Sequence, residues 1–351
     1  MRIDAFLSDL ENLCAAQGVS GFEAAVADVI RHCFSRRGIQ TRSDKIGNLI
    51  AHLPGKGPRV LLVAHLDETG YLVRKILPDG FLQLERVGGA AWNVLAGQHV
   101  QIWTDSGLIP GVVGVTPPHI APGGAPADLG RLFVDIGVRT QANALALGIE
   151  IGSPVTCKPV FQVLQGRVAA KALDDRAGCA LLVHLAEEIF GSELACDLYL
   201  AFVVQEENLL VGAQPVAFDL QPDWILGVDA TLTYDTPDLG SSYSEVGLGK
   251  GPAIKIMDHI RGRGQGFIAH VGLRRHLEHL AQVDNIPLQR EIATGISTAA
   301  APLPFVNAGF PVAAVSFPLR YSHSPSEVAD LEDLNQTLNL LLAAVHFPWP
   351  G

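Results

Sequence analysis

The apolar positions along this chain fall into three textures. Residues Ile3 to Arg37 carry the helical one. Phe6, Leu7, Leu10, Leu13 and Cys14 recur at three- and four-residue intervals, which predicts a first helix. The break Gly18-Val19-Ser20-Gly21 follows, and Ser20 with Glu23 forms a capping-box pattern ahead of a second helix over Ala24 to Phe34. The second texture is a largely unbroken apolar run, typical of a strand covered on both faces. It occurs in Arg59 to Ala64, Leu198 to Val204, Trp224 to Val228 and Val312 to Phe317. Helical patterns over Cys179 to Phe190, His270 to Asn285 and Leu331 to His346 stand between or after these runs, and Thr41 to Leu53 reads as a strand hairpin. The third texture is short alternation broken by Gly and Pro. It fills Thr69 to Gln165, with Tyr71 to Arg74, Phe81 to Leu84, His99 to Trp103 and Gly111 to Val115 as its strands and Pro117 to Gly130 as a long loop.

Buried strands alternating with helices predict an α/β fold: a mixed, mostly parallel sheet with helices on both faces. The alternating section predicts a small antiparallel β-barrel or sandwich inserted into it. The expected division is a first catalytic part at 1–68, an inserted barrel at 69–165 and a second catalytic part at 166–351.

The bulk numbers narrow the function classes. Hydrophobic residues make up 48% and charged residues 17%, so a sizeable core is feasible. The formal charge is −11, which argues against a nucleic-acid surface. The sparse basic stretch from Lys250 to Arg263 does not reverse this. The five cysteines form no CxxC pair and their number is odd, which disfavours a disulfide framework or a thiolate metal site. Residues Met1 to Asp4 open an acidic amphipathic segment with no apolar signal core, and no run approaches the ~20 apolar residues of a membrane span. A cytoplasmic protein is the expectation.

The chemistry lies in five separated pieces: Ala64 to Glu68, Leu173 to Arg176, Gln205 to Glu207, Gly227 to Asp229 and Tyr321 to Ser324. Three of them directly follow or end an apolar strand run. In open α/β sheets the ligand site lies beyond the carboxyl ends of the strands, so residues distant in sequence converge there. Imidazole and carboxylate both bind Zn²⁺, and an aspartate can bridge two ions ~3.5–4 Å apart. Such a pair lowers the pKa of a bridging water. Adjacent Glu206 and Glu207 suit a division between proton carrier and ligand, because neighbours on an extended segment point in different directions. Asp67, two residues after His65, is placed to orient that imidazole.

Each piece also has a plainer reading. A lone His65 could be a core histidine with a satisfied hydrogen bond. Asp174 and Asp175 could be helix-start acids suited to the dipole, with Asp175 capping the helix or pairing with Arg176. Gln205 to Glu207 could be a solvated strand end, and His323 or His119 an ordinary loop histidine. Gly262 to Gly266 has a glycine-rich look but lacks the strand-before, helix-after context of a phosphate loop. No Gly-x-Ser-x-Gly elbow points to a serine hydrolase.

Order and spacing together resemble the tetrahedral aminopeptidases, also called the glutamyl aminopeptidase family, whose members are sometimes labelled endoglucanase. The resemblance spans nearly the whole chain. Beyond the five pieces it rests on Gly18 to Glu23, Asp44 to Asn48, Asp67 to Tyr71, Val87 to Gly89, Ile109 to Val112, Phe133 to Gly137, Lys171 to Gly178, Asp235 to Pro237, Gly251-Pro252 and His323 to Glu327. It implies that Asp174 bridges two divalent metal ions, zinc or cobalt. His65 and Asp229 would complete one site, Glu207 and His323 the other. Glu206 would be the general base and Asp67 the residue that orients His65. The implied reaction is removal of N-terminal residues from short peptides by a metal-bridged hydroxide. The inserted domain would help build a homo-oligomer, often a dodecamer, that admits unfolded peptides.

Two departures bear on substrate choice. Where the family carries Gly-Thr-Asp, this chain has Thr294 to Thr298 with no acid, and Asn208 to Ala213 lacks the family's early glycine after Glu207. A two-metal deacylase of N-acylated amino acids or peptides on the same fold stays open, as does a non-catalytic assembly shell.

Overall fold

The computed structural model describes residues 1–117, 119–120, 129–239, 244–260 and 265–350, with the side chain of Gln265 excepted. Most of the Pro117 to Gly130 loop lies outside them, as does most of the Gly262 to Gly266 stretch.

The four apolar runs form the centre of one mixed sheet of 12 strands among the described residues. Strand Arg59–His65 is flanked on one side by Asp197–Val203 and on the other by Trp224–Leu232, and Val312–Arg320 lies beyond the latter; these four are parallel. Antiparallel strands extend both flanks. The hairpin Thr41–Ser43 with Leu49–Leu53 closes one side, and Glu327–Asp330, Arg167–Ala170 and Gln162–Leu164 close the other. Val60, Leu61, Leu62, Val63 and Ala64 are all fully buried, as a strand covered on both faces requires. Helix Leu173–Ile189 packs against the Arg59–His65 and Trp224–Leu232 strands and against helices Ile3–Ala15 and Leu331–His346.

Six strands between Gly70 and Cys157 close into an antiparallel barrel: Gly70–Ile76, Leu82–Val87, Val134–Asp135, Gly107–Val113, His99–Thr104 and Pro154–Cys157. Of the two expected forms, barrel and sandwich, the chain adopts the barrel. Its core, with Val73, Leu84, Ile102, Val134 and Val155, is separate from that of the large sheet. Gln162–Leu164 pairs with Arg167–Ala170 and so belongs to the large sheet.

Two local expectations change. The strand expected over Val312 to Phe317 runs on to Arg320 and leads into Tyr321, which has a positive φ of 61°. Ser20 and Glu23 do not cap the helix Ala24–Ser35, which has no side-chain cap hydrogen bond. Ser20 Oγ instead donates to Asp67 Oδ2 at 2.6 Å, and Glu23 Oε1 accepts the Gly21 and Gln205 amides at 2.7 and 3.0 Å. The Ser20 hydroxyl thus acts as donor to a charged acceptor at the site, not as the acceptor that a helix cap requires.

Candidate active site

His65 is the last residue of its strand, and Asp229 lies in the C-terminal half of the parallel neighbour. Glu206 and Glu207 follow the strand Asp197–Val203 through Gln205, whose φ of 55° turns the chain sharply. Asp174 stands at the start of helix Leu173–Ile189, where it and Asp175 leave the helical conformation. His323 enters from the turn after Val312–Arg320, at a φ of 64°. The strand ends thus supply the pieces, and irregular backbone aims them.

The five expected ligands converge. His65 Nε2 lies 3.2 Å from Asp174 Oδ1, 3.8 Å from Asp229 Oδ1 and 3.9 Å from Glu206 Oε2. His323 Nε2 lies 3.3 Å from Glu207 Oε2 and 3.7 Å from Asp174 Oδ2. Asp174 therefore presents one carboxylate oxygen to each imidazole. Ligand-type atoms of His65, Asp174 and Glu207 lie within 4.8 Å of one another, as do those of His65, Asp175 and Asp229.

Asp67 touches His65 differently from the expectation. The imidazole Nδ1 faces the Asp67 backbone carbonyl at 3.0 Å, with the carboxylate Oδ1 at 3.4 Å. The carboxylate itself accepts the Glu206 and Glu207 amides at 2.9 and 3.0 Å. Asp67 so fixes the His65 ring and the acidic turn together. Asp175 takes the capping role: Oδ1 accepts Gly178 N–H at 3.1 Å and Oδ2 accepts His65 N–H at 3.0 Å. Its expected partner Arg176 reaches Glu68 instead, at 3.3 Å, and donates to the carbonyls of Leu13 and Ala16.

The sequence reading assigned no role to two supporting residues. Glu327 Oε2 accepts Asp174 N–H at 3.0 Å and Oε1 accepts His323 N–H at 2.6 Å, so one buried carboxylate holds the backbone of two ligands. Ser322 Oγ donates to Asp174 Oδ2 at 3.0 Å. Ser322 lies within Tyr321 to Ser324 and Glu327 ends His323 to Glu327, yet a carboxylate acting on backbone amides leaves no spacing signal of its own.

Electrostatics set the character of the pocket. Burial pushes Glu206 well above the carboxylate range, against the lowering influence of His65, and burial likewise raises Glu207. Burial pushes Asp229 up to about 7, with His65 again opposing. Burial works against charge on His323, but the Glu207 carboxylate outweighs it and holds the imidazole up at about 10. Carboxylates that resist ionising together, gathered around two imidazoles, form the oxygen-and-nitrogen donor set that suits divalent cations such as Zn²⁺. Among the described residues Glu206 Oε1 is buried without a hydrogen-bond partner, which leaves one carboxylate oxygen unengaged beside that set.

A cleft of about 650 Å³ opens over these groups. Its walls include Arg86, Gly88 and Gly89 from the barrel rim and Leu232, Ile260 and Ile296 from the large sheet side. The altered Thr294 to Thr298 segment forms part of this wall through Gly295, Ile296 and Ser297, and Thr298 is pinned behind it by Asp258 Oδ2, which accepts its amide and hydroxyl at 3.0 and 2.7 Å. Asn208 and Leu210, from the other departing segment, also line the cleft.

A mixed sheet with a closed barrel beside it, and a His/Asp/Glu cluster at the parallel strand ends, form an architecture suited to a metal-dependent hydrolase. The sequence profile of the M42 glutamyl aminopeptidases matches residues 47–340. The chain is 40% identical to the putative aminopeptidase SgcX of Escherichia coli (strain K12), over 97% of this chain and 94% of that one. It is 31% identical to the lysyl aminopeptidase of Pyrococcus furiosus, over 95% of each. Among solved structures, an aminopeptidase from the archaeon Desulfurococcus kamchatkensis superposes with a TM-score of 0.92 at 32% identity, covering 99% of this chain and 96% of the other. This chain belongs to the M42 glutamyl aminopeptidase family.

Proposed function

We propose that this aminopeptidase works with two divalent metal ions, held by His65, Asp174 and Asp229 on one side and by Asp174, Glu207 and His323 on the other, and that Glu206 carries the proton. Zinc or cobalt fits the imidazole and carboxylate donors. When bound, the ions would polarise the scissile carbonyl and make water a stronger acid at neutral pH.

The remaining work falls to the chain. Glu206 takes a proton from the attacking water and returns it to the departing amine. Its buried carboxylate, with one oxygen unengaged beside the donor set, is placed to serve both directions of transfer. The Asp67 backbone carbonyl fixes the ring of His65, so that Nε2 faces the pocket, and the Asp67 carboxylate anchors the Glu206-Glu207 turn. The cleft between barrel rim and sheet admits one end of a peptide. The observation that carries this reading is the free, buried Oε1 of Glu206 beside a ring of metal-type donors.

The barrel, taken as an insert at 69–165, would serve assembly and access. A Pyrococcus horikoshii TET1 peptidase is described as able to assemble into a tetrahedron or a large octahedral shell, and this chain superposes on it with a TM-score of 0.87 at 30% identity. A dodecamer of this chain is the proposal, supported by a similar TET1 structure described as a dodecamer. Five unpaired cysteines support a cytoplasmic setting. Among the described residues no helix is long and apolar enough to cross a membrane.

The test is metal content measured beside cleavage of a panel of aminoacyl chromogenic substrates and their N-acylated counterparts. Turnover of free-amine substrates that disappears in a strong chelator and returns with Zn²⁺ or Co²⁺ is expected. Cleavage of the blocked forms alone would convert the reading to a deacylase.

A further inference from the structure

The segment Gly18 to Glu23 belongs to no part of the chemistry so far, yet it touches the site at two points. It runs beside Asp67 and Glu68, with a parallel bridge between Val19 and Glu68 and a hydrogen bond from Glu68 N–H to Gly18 O at 2.8 Å. Ser20 Oγ donates to Asp67 Oδ2 at 2.6 Å. Glu23 is 6% exposed and points its carboxylate across to Gln205, far away in sequence, whose amide it accepts at 3.0 Å.

Three successive amides of the turn that carries Glu206 are therefore held by two carboxylates. Gln205 N–H goes to Glu23; Glu206 and Glu207 N–H go to Asp67. Ser20 ties the second carboxylate to the same segment. The turn needs such support, because Gln205 sits at a φ of 55°, a conformation that a residue with a β-carbon adopts only when its surroundings over-determine it. Gly21, at a φ of 91°, lets its own amide close onto Glu23 Oε1 at 2.7 Å, which fixes the carboxylate before it reaches Gln205. A buried carboxylate is costly to keep unless its hydrogen bonds are worth the desolvation. Both bonds fall on Oε1, so a single buried oxygen orders the two backbone amides.

We propose that Glu23, aided by Ser20, is a positioning residue for Glu206: it sets the Gln205 turn so that the Glu206 carboxylate stands at the right distance from the reacting centre. This rests on Glu206 as the proton carrier. Among the described residues Glu23 bonds to no metal-ligand side chain, and Glu207 keeps its own amide bond to Asp67, so the loss of Glu23 acts on the rate of chemistry more than on ion retention.

The experiment compares the wild-type protein with Glu23→Ala, Glu23→Gln and Ser20→Ala, each zinc-replete, on one peptide substrate, with kcat, KM, bound zinc and thermal midpoint recorded. Glu23→Ala is expected to lower kcat roughly 10–100-fold with KM and bound zinc unchanged. Glu23→Gln keeps a side-chain oxygen for both amides and should recover most of that loss, and Ser20→Ala should fall between. A kcat in Glu23→Ala within two-fold of wild type overturns the proposal. So does a loss in Glu23→Ala that Glu23→Gln does not restore, or one that follows zinc content. If Glu23→Ala does not fold, Glu23→Gln and Ser20→Ala decide alone: Ser20→Ala must lose kcat several-fold and Glu23→Gln must not. A wild-type protein inactive on every peptide would instead sink the function proposed above.

Discussion

Gly89, on the rim of the barrel, lies against the imidazole of His323: a β-carbon built on it would stand 2.5 Å from Nδ1 and 2.8 Å from Cε1. The contact joins the inserted barrel to a proposed metal ligand, and the Ala91 amide donates to the His323 carbonyl at 3.1 Å beside it. The backbone of Gly89 is in a region open to any residue, so only the side-chain clash opposes substitution. Gly89→Ala should therefore fold, push the His323 ring away from Glu207 and weaken one metal site roughly 10–100-fold. Titrating activity of the stripped protein with Zn²⁺ reads this directly. Metal affinity within two-fold of wild type would mean that the rim yields instead of the ring.

Behind the site, Glu68 is 4% exposed and joins two buried cations, Lys171 Nζ at 2.6 Å and Arg176 Nη2 at 3.3 Å. Removing one partner of a buried pair leaves charge without compensation, which costs about 3–5 kcal/mol. Glu68→Ala should lose stability on that scale in urea unfolding. The substitution also loosens the segment paired with Gly18, so activity should fall with it. A loss under about 1 kcal/mol would show that water enters and solvates the two cations.

Asp235 supplies the pH-dependent case. Burial works against its ionisation, but the two-pronged contact with Arg320, at 2.9 and 2.8 Å, and the Leu248 amide at 3.0 Å outweigh it and hold the carboxyl down at about 2. A carboxyl depressed in the folded state adds stability that is complete above its ordinary value, about 3.9, and is lost as pH falls through the folded value. Wild type should thus lose more stability than Asp235→Asn between about pH 4 and pH 2, by the uptake of about one extra proton on unfolding. Parallel stability curves for the two proteins over that interval would remove Asp235 from the acid response.

Much of the fold was legible because its central strands are apolar on both faces and its helices keep a clear period. Arg59 to Ala64 and Leu331 to His346 needed no tertiary information. Strands Ala253–Ile260 and Gln289–Thr294 were not legible, for a physical reason: their buried faces carry Lys255 and Glu291, paired at 3.3 Å, where a pattern reader expects apolar residues. The candidate site was legible as residue types at strand ends. Its wiring was not. The Asp67 carboxylate, Glu23 and Glu327 act on backbone amides distant in sequence, and Ser20 follows a helix-cap pattern while serving the site. Side chains that bond to backbone leave no constraint on the identity of the partner residue, so no pairwise pattern records them.

The proton-carrier role proposed for Glu206 can be separated from metal binding by a single atom. Glu206→Gln keeps the size and the backbone amide that Asp67 accepts, and it removes only the capacity to take a proton. None of the five proposed ligands changes, so both ions should remain bound. Activity should drop by about 10²–10⁴-fold, the usual share of general acid–base catalysis. His323→Ala provides the contrast, since it should lose an ion along with activity and recover part of the activity at raised Zn²⁺. Glu206→Gln should show no such recovery, because its defect is in proton transfer. If Glu206→Gln turned over peptide at near wild-type rate with two ions bound, the proton would have to travel by another group, and the free Oε1 would lose its assigned purpose.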